Sequence, residues 1–232
     1  DKPYVDDGQM LFDAQGAPVQ QATEVIRFAL SIPRSPMPAS GFPLLFHVPG
    51  SGGDWLSVFD RGSGDNTGPA RELAARGIAA FGVEANLTGP RHPSGDLSGF
   101  HFYNIFNPIS VRDNHRQQAA EFEVIAAVAK SLRLAGTLAP AAMTTELKFD
   151  PAHFLLHGHS TGSVVGATIL GQSDTFQAGA LSGAGGSWLY NLVLKETPAS
   201  AELAKQFPSY RDDDTVDIDP EVVGQLDAEL FR

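Results

Sequence analysis

The sequence predicts an α/β protein in which a mostly parallel sheet is covered by helices on both faces. Short apolar runs alternate along the chain with helical stretches, in the order strand, helix, strand, helix. Most of these runs are mainly apolar, which is typical of parallel strands that are buried on both sides. A length of 232 residues suits one hydrophobic core rather than two. We therefore expect a single domain over residues 1–232.

Five strands are predicted from these apolar patterns. The first alternates polar and apolar side chains, so one of its faces should meet water. The other four are short and apolar, as expected for buried strands. The predicted strands are residues 24–32, 43–48, 78–83, 153–157 and 177–182.

Three helices are predicted between these strands. Residues 69–76 carry a proline at the first turn and are followed by Gly77, a typical helix end. The longest helix has Ser110 as its predicted N-cap, and apolar side chains recur at helical spacing as far as Leu132. Residues 162–170 form a helix of mostly small side chains.

The composition excludes several classes of function. With 27 acidic and 16 basic side chains the net charge is −11, which would repel nucleic acid or an anionic membrane before contact. The longest apolar runs are far shorter than a membrane-spanning helix requires, so no transmembrane segment is expected. The absence of cysteine removes disulfides, thiolate metal sites and a cysteine nucleophile. No acid or cysteine completes a zinc set with His153, His157 and His159, so neither a metal nor a cofactor is expected.

Residues 158–162 read GHSTG, a Gly-x-Ser-x-Gly pattern between an apolar strand and a helix of small residues. A sharp turn from strand to helix lifts the serine hydroxyl out of the carboxyl edge of a sheet. Glycines are needed on both sides because a Cβ there would collide with the neighbouring strand and helix. The helix also directs its partial positive N-terminus towards any oxyanion that forms. We expect Ser160 to be a nucleophile, and the alternative is a structural glycine-rich turn.

A second glycine-rich turn, residues 49–54 (PGSGGD), follows the predicted strand 43–48. A serine hydrolase needs two N–H donors where negative charge develops on the carbonyl oxygen. One donor is the backbone of the residue after the nucleophile, here Thr161, and the other comes from the loop after an earlier strand. Ser51 is the predicted second donor. A plain tight turn and a phosphate cradle are the alternatives, although the lysine and spacing of a P-loop are absent.

The two glycine turns and the order of the elements resemble the α/β-hydrolase superfamily. Residues 42–54 resemble the oxyanion loop of bacterial extracellular lipases and polyesterases, and residues 104–117 resemble their loop-to-helix segment. The resemblance covers about residues 24–195. It departs at Pro49-Gly50, where lipases of this type often carry His-Gly. It implies an acyl-enzyme mechanism in which a histidine, oriented by a carboxylate, moves the proton.

The resemblance implies a serine carboxylic-ester hydrolase, secreted or periplasmic, that acts on a small-molecule or polymeric ester. His92 and His101 in the long aromatic segment 86–108, together with Trp188, are the predicted substrate contacts. Two other classes stay open. One is a non-catalytic hydrolase-fold protein that binds a ligand, and the other is a peptidase or thioesterase on the same scaffold.

The catalytic acid and base are not identified in this sequence. All seven histidines precede Ser160, whereas the acid and the histidine of such hydrolases follow the serine. We expect the last strands, the acid and the base to lie beyond residue 232 or on a second chain; a differently organised hydrolase is the alternative. Residues 187–232 are expected to form a lid or insertion. Its acidic end, residues 211–232, is expected to be solvated, with calcium binding as the alternative.

Overall fold

The structure is a computed structural model that describes residues 8–60, 68–92, 100–103 and 107–185. Of Phe100 and His101 it describes the backbone alone. The predicted lid, residues 187–232, lies outside the described residues.

The strands form one main sheet and one small pair. They are β1 (Phe28–Ser31), β2 (Phe42–Val48), β3 (Ala79–Val83), β4 (Leu134–Ala135), β5 (Glu146–Leu147), β6 (Phe149–His159) and β7 (Ala178–Ser182). The main sheet has five strands in the order β1-β3-β2-β6-β7, and β4 pairs with β5. Within the main sheet β1 is antiparallel to β3, and the other three pairings are parallel. The predicted mostly parallel α/β fold is confirmed.

Four α-helices are described, with three short 3-10 turns. The helices are α1 (Ala70–Ala75), α2 (Phe100–Tyr103), α3 (Pro108–Ser131) and α4 (Thr161–Gln172), and the 3-10 turns are Gly89–Arg91, Gly136–Leu138 and Pro140–Ala142. Within the described ranges no helix is long and apolar enough to cross a membrane.

The N-cap predicted for the longest helix is wrong. Helix α3 is capped by Asn107, whose side chain accepts a hydrogen bond from the backbone N–H of Ser110 at 3.1 Å. Pro108 occupies the first helical turn, where its missing N–H is not needed. Ser110 therefore lies inside the helix, three residues after the cap, and its backbone N–H is the group that the cap satisfies.

Helices cover both faces of the sheet in the described part of the chain. Side chains alternate along β3, so Ala80 packs with Val58 and with Ala70 of α1 on one face. Phe81 points to the other face and joins the larger core, which includes apolar side chains of α3 and α4.

Phe46 of β2 lies at the centre of the larger core. Its ring centroid is 5.5 Å from that of Phe81, 5.1 Å from that of Phe154 and 5.5 Å from that of Phe176. Burial of each such side chain contributes about 1.5–3 kcal/mol to folding. This cluster joins three neighbouring strands and fixes their relative positions.

The register of the parallel strands determines which turns meet at the carboxyl edge of the sheet. Val48 pairs with Gly158, and His159 pairs with Ser182. The turns that follow β2, β6 and β7 therefore lie side by side. Strand β7 forms the edge of the described sheet, and its five residues are exposed.

Candidate active site

Ser160 lies at a sharp turn between β6 and α4. Its backbone has φ 55° and ψ −121°, a region that residues other than glycine rarely adopt. Such a conformation costs about 1–3 kcal/mol and persists where the surrounding structure holds it. Here the Ser160 N–H donates to the Ser182 carbonyl at 2.8 Å, and the Ser163 N–H donates to the Ser160 carbonyl at 2.8 Å. The end of β7 and the first turn of α4 thus hold the serine in place.

Both glycines of the Gly-x-Ser-x-Gly pattern are required by close packing. A Cβ at Gly158 would lie 2.3 Å from the carbonyl oxygen of Gly162, in helix α4. A Cβ at Gly162 would lie 2.1 Å from the carbonyl oxygen of Val48, in strand β2. The collisions with a neighbouring helix and strand that the sequence pattern predicts are confirmed.

Ser163 ties the turn together from inside the protein. It is fully buried, and its hydroxyl lies 2.9 Å from the Gly158 carbonyl oxygen and 2.6 Å from the Ser182 carbonyl oxygen. One side chain on α4 therefore contacts the ends of both β6 and β7. This contact supports the conformation of Ser160 without adding a reactive group.

The glycine-rich turn after β2 packs directly against Ser160. A Cβ at Gly50 would lie 3.0 Å from the Ser160 Cβ and 3.0 Å from the His159 carbonyl oxygen. The turn is closed by the Gly53 N–H, which donates to the Gly50 carbonyl at 3.0 Å. Ser51 is therefore held next to the serine that the sequence marks as the nucleophile.

Three hydroxyl groups meet between this turn and the start of α4. The Ser51 Oγ lies 2.9 Å from the Thr161 Oγ1, and the Tyr103 hydroxyl is hydrogen-bonded to both. Thr161 is the first residue of α4, so its backbone N–H has no carbonyl partner within the helix. The structure brings together the two residues predicted as oxyanion donors and adds Tyr103.

Sequence reasoning did not single out Tyr103. The available signal was its place in the aromatic run FHFYNIF, residues 100–106, just before the longest helix. Burial raises the pKa of the Tyr103 phenol, and the hydrogen bonds with Ser51 and Thr161 oppose that rise only in part. The phenol is therefore protonated at neutral pH and available as a donor.

A cavity of about 780 Å³ opens beside the glycine turn. Its lining includes residues 50–54 of that turn, His47 of β2, His157 and His159 of β6, and Ser182 of β7. A pocket of this size is in the range that holds small-molecule ligands. It gives the edge of the sheet a space next to Ser51 in which part of a substrate could lie.

Two histidines stack in the wall of this cavity. His47 and His157 are paired in register on neighbouring strands, with Nδ1 atoms 2.9 Å apart and ring centroids 5.0 Å apart. One Nδ1 must donate and the other accept, because a hydrogen bond holds a single proton. Sequence reasoning did not identify His47 as the hydrogen-bond partner of His157. His159 bonds to the Ser182 hydroxyl instead, with 2.9 Å from its Nδ1 to the Oγ.

The predicted substrate contacts are only partly described. His92 ends the turn Gly89–Arg91, where its backbone N–H donates to the Gly89 carbonyl at 3.0 Å. It is not among the described residues that line the cavity. His101 lies in α2 but its side chain is outside the described part, and Trp188 lies outside the described residues altogether.

The described residues include no group of three or more histidine, aspartate or glutamate side chains that could hold a metal ion. His115 is buried on α3, and its Nδ1 donates to the Val111 carbonyl at 2.8 Å. Burial lowers the pKa of its imidazole. His115 is thus a structural residue of the helix.

No protein-family model matches the chain, and no match was found among curated proteins. The chain is similar to the solved structure of a 2,6-dihydroxy-pseudo-oxynicotine hydrolase at 17% identity and a TM-score of 0.47, over 96% of this chain and 47% of that one. It is similar to an acetyl xylan esterase from Paenibacillus sp. R4 at 12% identity and a TM-score of 0.45, over 95% and 61% of the two chains. It is similar to the AtxE2 isopeptidase at 17% identity and a TM-score of 0.46, over 84% and 25%.

The chain spans less than two thirds of the length of each of these structures. The fold class follows from this chain's own geometry, namely a largely parallel sheet with a serine at a strained turn between strand and helix. That combination defines an α/β fold of the hydrolase type.

Proposed function

We propose that this protein is a serine hydrolase that cleaves carboxylic esters with Ser160 as its nucleophile. The observation that carries the proposal is the conformation of Ser160, with φ 55° at the carboxyl end of β6. The strain at this residue is maintained by Gly158, Gly162 and the bond to Ser182, and strained residues of this kind cluster at functional sites.

In the proposed reaction the Ser160 Oγ bonds to the carbonyl carbon of the ester while its proton passes to a general base. The π electrons of the carbonyl move to its oxygen, which the backbone N–H groups of Ser51 and Thr161 stabilise. The intermediate collapses, re-forms the carbonyl and expels the alcohol, which takes the proton from the base. Water then attacks the acyl-enzyme in the same way, releases the carboxylic acid and restores Ser160.

Helix α4 supports this chemistry through its direction. The helix begins at Thr161, directly after the nucleophile, and runs for 12 residues. Its N-terminus carries the equivalent of about half a positive charge, which favours an anion at that point. The proposed oxyanion lies at this end of the helix.

The proposed general base is a histidine that a carboxylate orients, and we propose that both lie beyond residue 232 or on a second chain, since all seven histidines of this sequence precede Ser160. Among the described histidines, His47 and His157 bond to each other, and His159 bonds to Ser182. His153 bonds to the Asp150 carboxylate at 2.8 Å, near the start of β6 and far along the strand from Ser160. None of these pairs has the order of serine, acid and histidine that this type of hydrolase uses.

The proposed substrate is a small-molecule or polymeric ester of the kind used by extracellular lipases and polyesterases, and the proposed location is secreted or periplasmic. The resemblance of residues 42–54 supports the substrate class, and the cavity of about 780 Å³ beside Ser51 supports an acyl or alcohol group of small-molecule size. His92, His101 and Trp188 are proposed to contact the substrate.

A fluorophosphonate probe tests the proposal, because it labels only a serine that is activated as a nucleophile. The experiment compares the parent, Ser160→Ala and Ser131→Ala, a control at an exposed serine that bonds to the Val128 carbonyl. It uses both residues 1–232 and the product of the complete open reading frame. We expect one adduct on the peptide containing Ser160, none in Ser160→Ala, and an unchanged adduct in the control.

Absence of the Ser160 adduct from both proteins would exclude the proposal and favour a ligand-binding protein. Where the adduct forms, ester, thioester and amide substrates with the same acyl group separate an esterase from a thioesterase or peptidase. An esterase should turn over the ester fastest.

A further inference from the structure

The Tyr103 phenol lies between the two residues that we assign as oxyanion donors. It is hydrogen-bonded to the hydroxyls of Ser51 and Thr161, which are themselves 2.9 Å apart. Each of those hydroxyl oxygens is three bonds from its own backbone nitrogen. The phenol therefore contacts the side chains of both residues whose N–H groups are the proposed donors.

Of the three hydroxyls in this cluster, the phenol is the best donor to an oxyanion. A tyrosine hydroxyl has an ordinary pKa of about 10, far below that of the alcohols of serine and threonine, so it gives the stronger hydrogen bond to a negative oxygen. Burial raises the pKa of Tyr103 above this value, so the proton is retained at neutral pH. In the resting protein the three hydroxyls bond to one another, and rotation of the phenol proton would redirect it to an incoming oxygen.

Contacts outside the cluster fix the position of Tyr103. The Asn114 side chain donates to the Phe102 carbonyl at 2.9 Å, and the Asn86 side chain donates to the Asn114 carbonyl at 3.1 Å. Phe102 is buried, with its ring centroid 4.6 Å from that of His115 and 5.7 Å from that of Tyr103. The short helix that carries Tyr103 is thus held by α3, and α3 is tied in turn to the segment that follows β3. A donor that is positioned before the reaction needs little reorganisation in the transition state.

We propose that Tyr103 is a catalytic residue whose hydroxyl donates a third hydrogen bond to the oxyanion, beside the N–H groups of Ser51 and Thr161. This inference rests on the proposed function, since it requires attack by Ser160 on an ester carbonyl. It assigns a side-chain donor to a site for which the sequence predicts only backbone donors.

The test is Tyr103→Phe, which removes the hydroxyl and keeps the ring. It is made in the catalytically active open-reading-frame product, with a p-nitrophenyl ester as substrate. We expect kcat to fall by about 100-fold, the lower end of the range for one lost oxyanion donor, with KM and the melting temperature nearly unchanged. The matched control is Thr168→Val, which removes a hydroxyl that bonds to the Val164 carbonyl on α4. Its kcat should equal that of the parent.

A pair of esters that differ only in C=O or C=S distinguishes a donor from a structural residue. Sulfur accepts hydrogen bonds poorly, so the loss of an oxyanion donor should slow the oxygen ester much more than the sulfur ester. A purely structural loss would slow both equally. Equal slowing, or a kcat for Tyr103→Phe close to that of the parent, would overturn the inference.

The same experiment separates this inference from the proposed function. One outcome would overturn the role of Tyr103 alone. In it the fluorophosphonate labels Ser160, the Ser160→Ala variant is inactive, and the Tyr103→Phe variant is fully active. Activity that persists in Ser160→Ala would overturn both.

Discussion

Two turns at the carboxyl edge of the same sheet are built in opposite ways. The elbow turn, residues 158–163, has only small side chains apart from His159, and it leaves Ser160 half-buried at the edge. The arginine anchor is a cluster formed by Glu24, Glu84, Arg91 and Glu121, in which Arg91, from the segment after β3, buries its charge instead. The first turn holds a strained backbone in place, whereas the second joins separate segments of the chain.

Arg91 is the centre of the arginine anchor. Its side chain is 5% exposed and makes two hydrogen bonds to the Glu121 carboxylate, at 2.8 and 2.9 Å. It also bonds to the Glu24 carboxylate at 2.7 Å and to the Glu84 carbonyl at 3.1 Å. Burial alone would lower the pKa of this guanidinium, but the bonds and charges of Glu121 and Glu24 outweigh burial and raise it. Arg91 therefore stays charged and ties the segment before β1 to helix α3.

At this edge of the sheet, the groups proposed for reactivity and the groups that stabilise the fold lie in different segments. Changes in the elbow turn and its neighbour Ser51 should alter turnover or local packing, whereas changes in the arginine anchor should alter the free energy of unfolding alone.

Replacement of Ser51 by proline removes one proposed oxyanion donor. Gly50 before it tolerates the restriction that proline places on the preceding residue. We expect kcat to fall by two to three orders of magnitude, about 3–4 kcal/mol of transition-state stabilisation. Steady-state kinetics on an ester measure the effect, and Ser51→Ala, which keeps the N–H, should lose much less. If only KM changes, the turn merely lines the pocket.

Replacement of Arg91 by methionine should destabilise the protein by about 3 kcal/mol, because it leaves partly buried carboxylates without their partner. Urea unfolding measures the difference. The control is Arg76→Met, which removes an exposed i,i+4 pair with Glu72 at 3.0 Å and should cost less than about 0.5 kcal/mol. Equal losses in the two variants, or a kcat loss in folded Arg91→Met, would contradict the division between the turns.

Gly162 and Gly171 lie on the same helix but differ in the space around them. A Cβ at Gly162 meets the Val48 carbonyl oxygen at 2.1 Å, whereas one at Gly171 meets nothing within 4 Å. Gly162→Ala should therefore destabilise the protein by about 2–3 kcal/mol. Gly171→Ala should be neutral or stabilising by up to about 1 kcal/mol. Thermal or urea unfolding of both variants checks this, and equal stabilities would show that the elbow turn can relax.

Sequence reasoning succeeded where the signal is local. The serine turn is predicted from five consecutive residues, 158–162. The predicted bounds of β2 and β3 differ from the observed ones by one residue at most. The start of β6 was missed by four residues, because Asp150 and Pro151 interrupt the apolar pattern while the strand continues. The pairing of β6 with β2 is irregular in the same place, between Phe42 and Leu44.

Contacts between distant residues could not be read in the same way. His47 and His157 meet only because two parallel strands adopt a particular register, and they are 110 residues apart. Tyr103 reaches Thr161 across 58 residues, through a short helix that no periodic pattern predicts. Asn107 caps α3 although Ser110 is an equally good capping residue by type, because Pro108 favours a start just before it.

The smallest predicted effect concerns acid stability at Asp113, which ties Met10 to α3. This carboxylate is buried, accepts the Met10 N–H at 3.0 Å and bonds to Arg112 at 2.8 Å. Burial alone would raise the pKa of Asp113, but Arg112, the Met10 N–H and Arg116 together hold it below its ordinary value. The folded protein then binds this proton less tightly than the unfolded chain, so the stabilisation is complete above the unfolded pKa of about 3.9 and is lost as the pH falls through the lower folded pKa.

Asp113→Asn should be less stable than the parent at pH 7, and the difference should shrink steadily below about pH 4. Urea midpoints at pH 7, 5, 4 and 3 measure the two curves, and a constant gap between them would show that the Asp113 charge does not stabilise the fold.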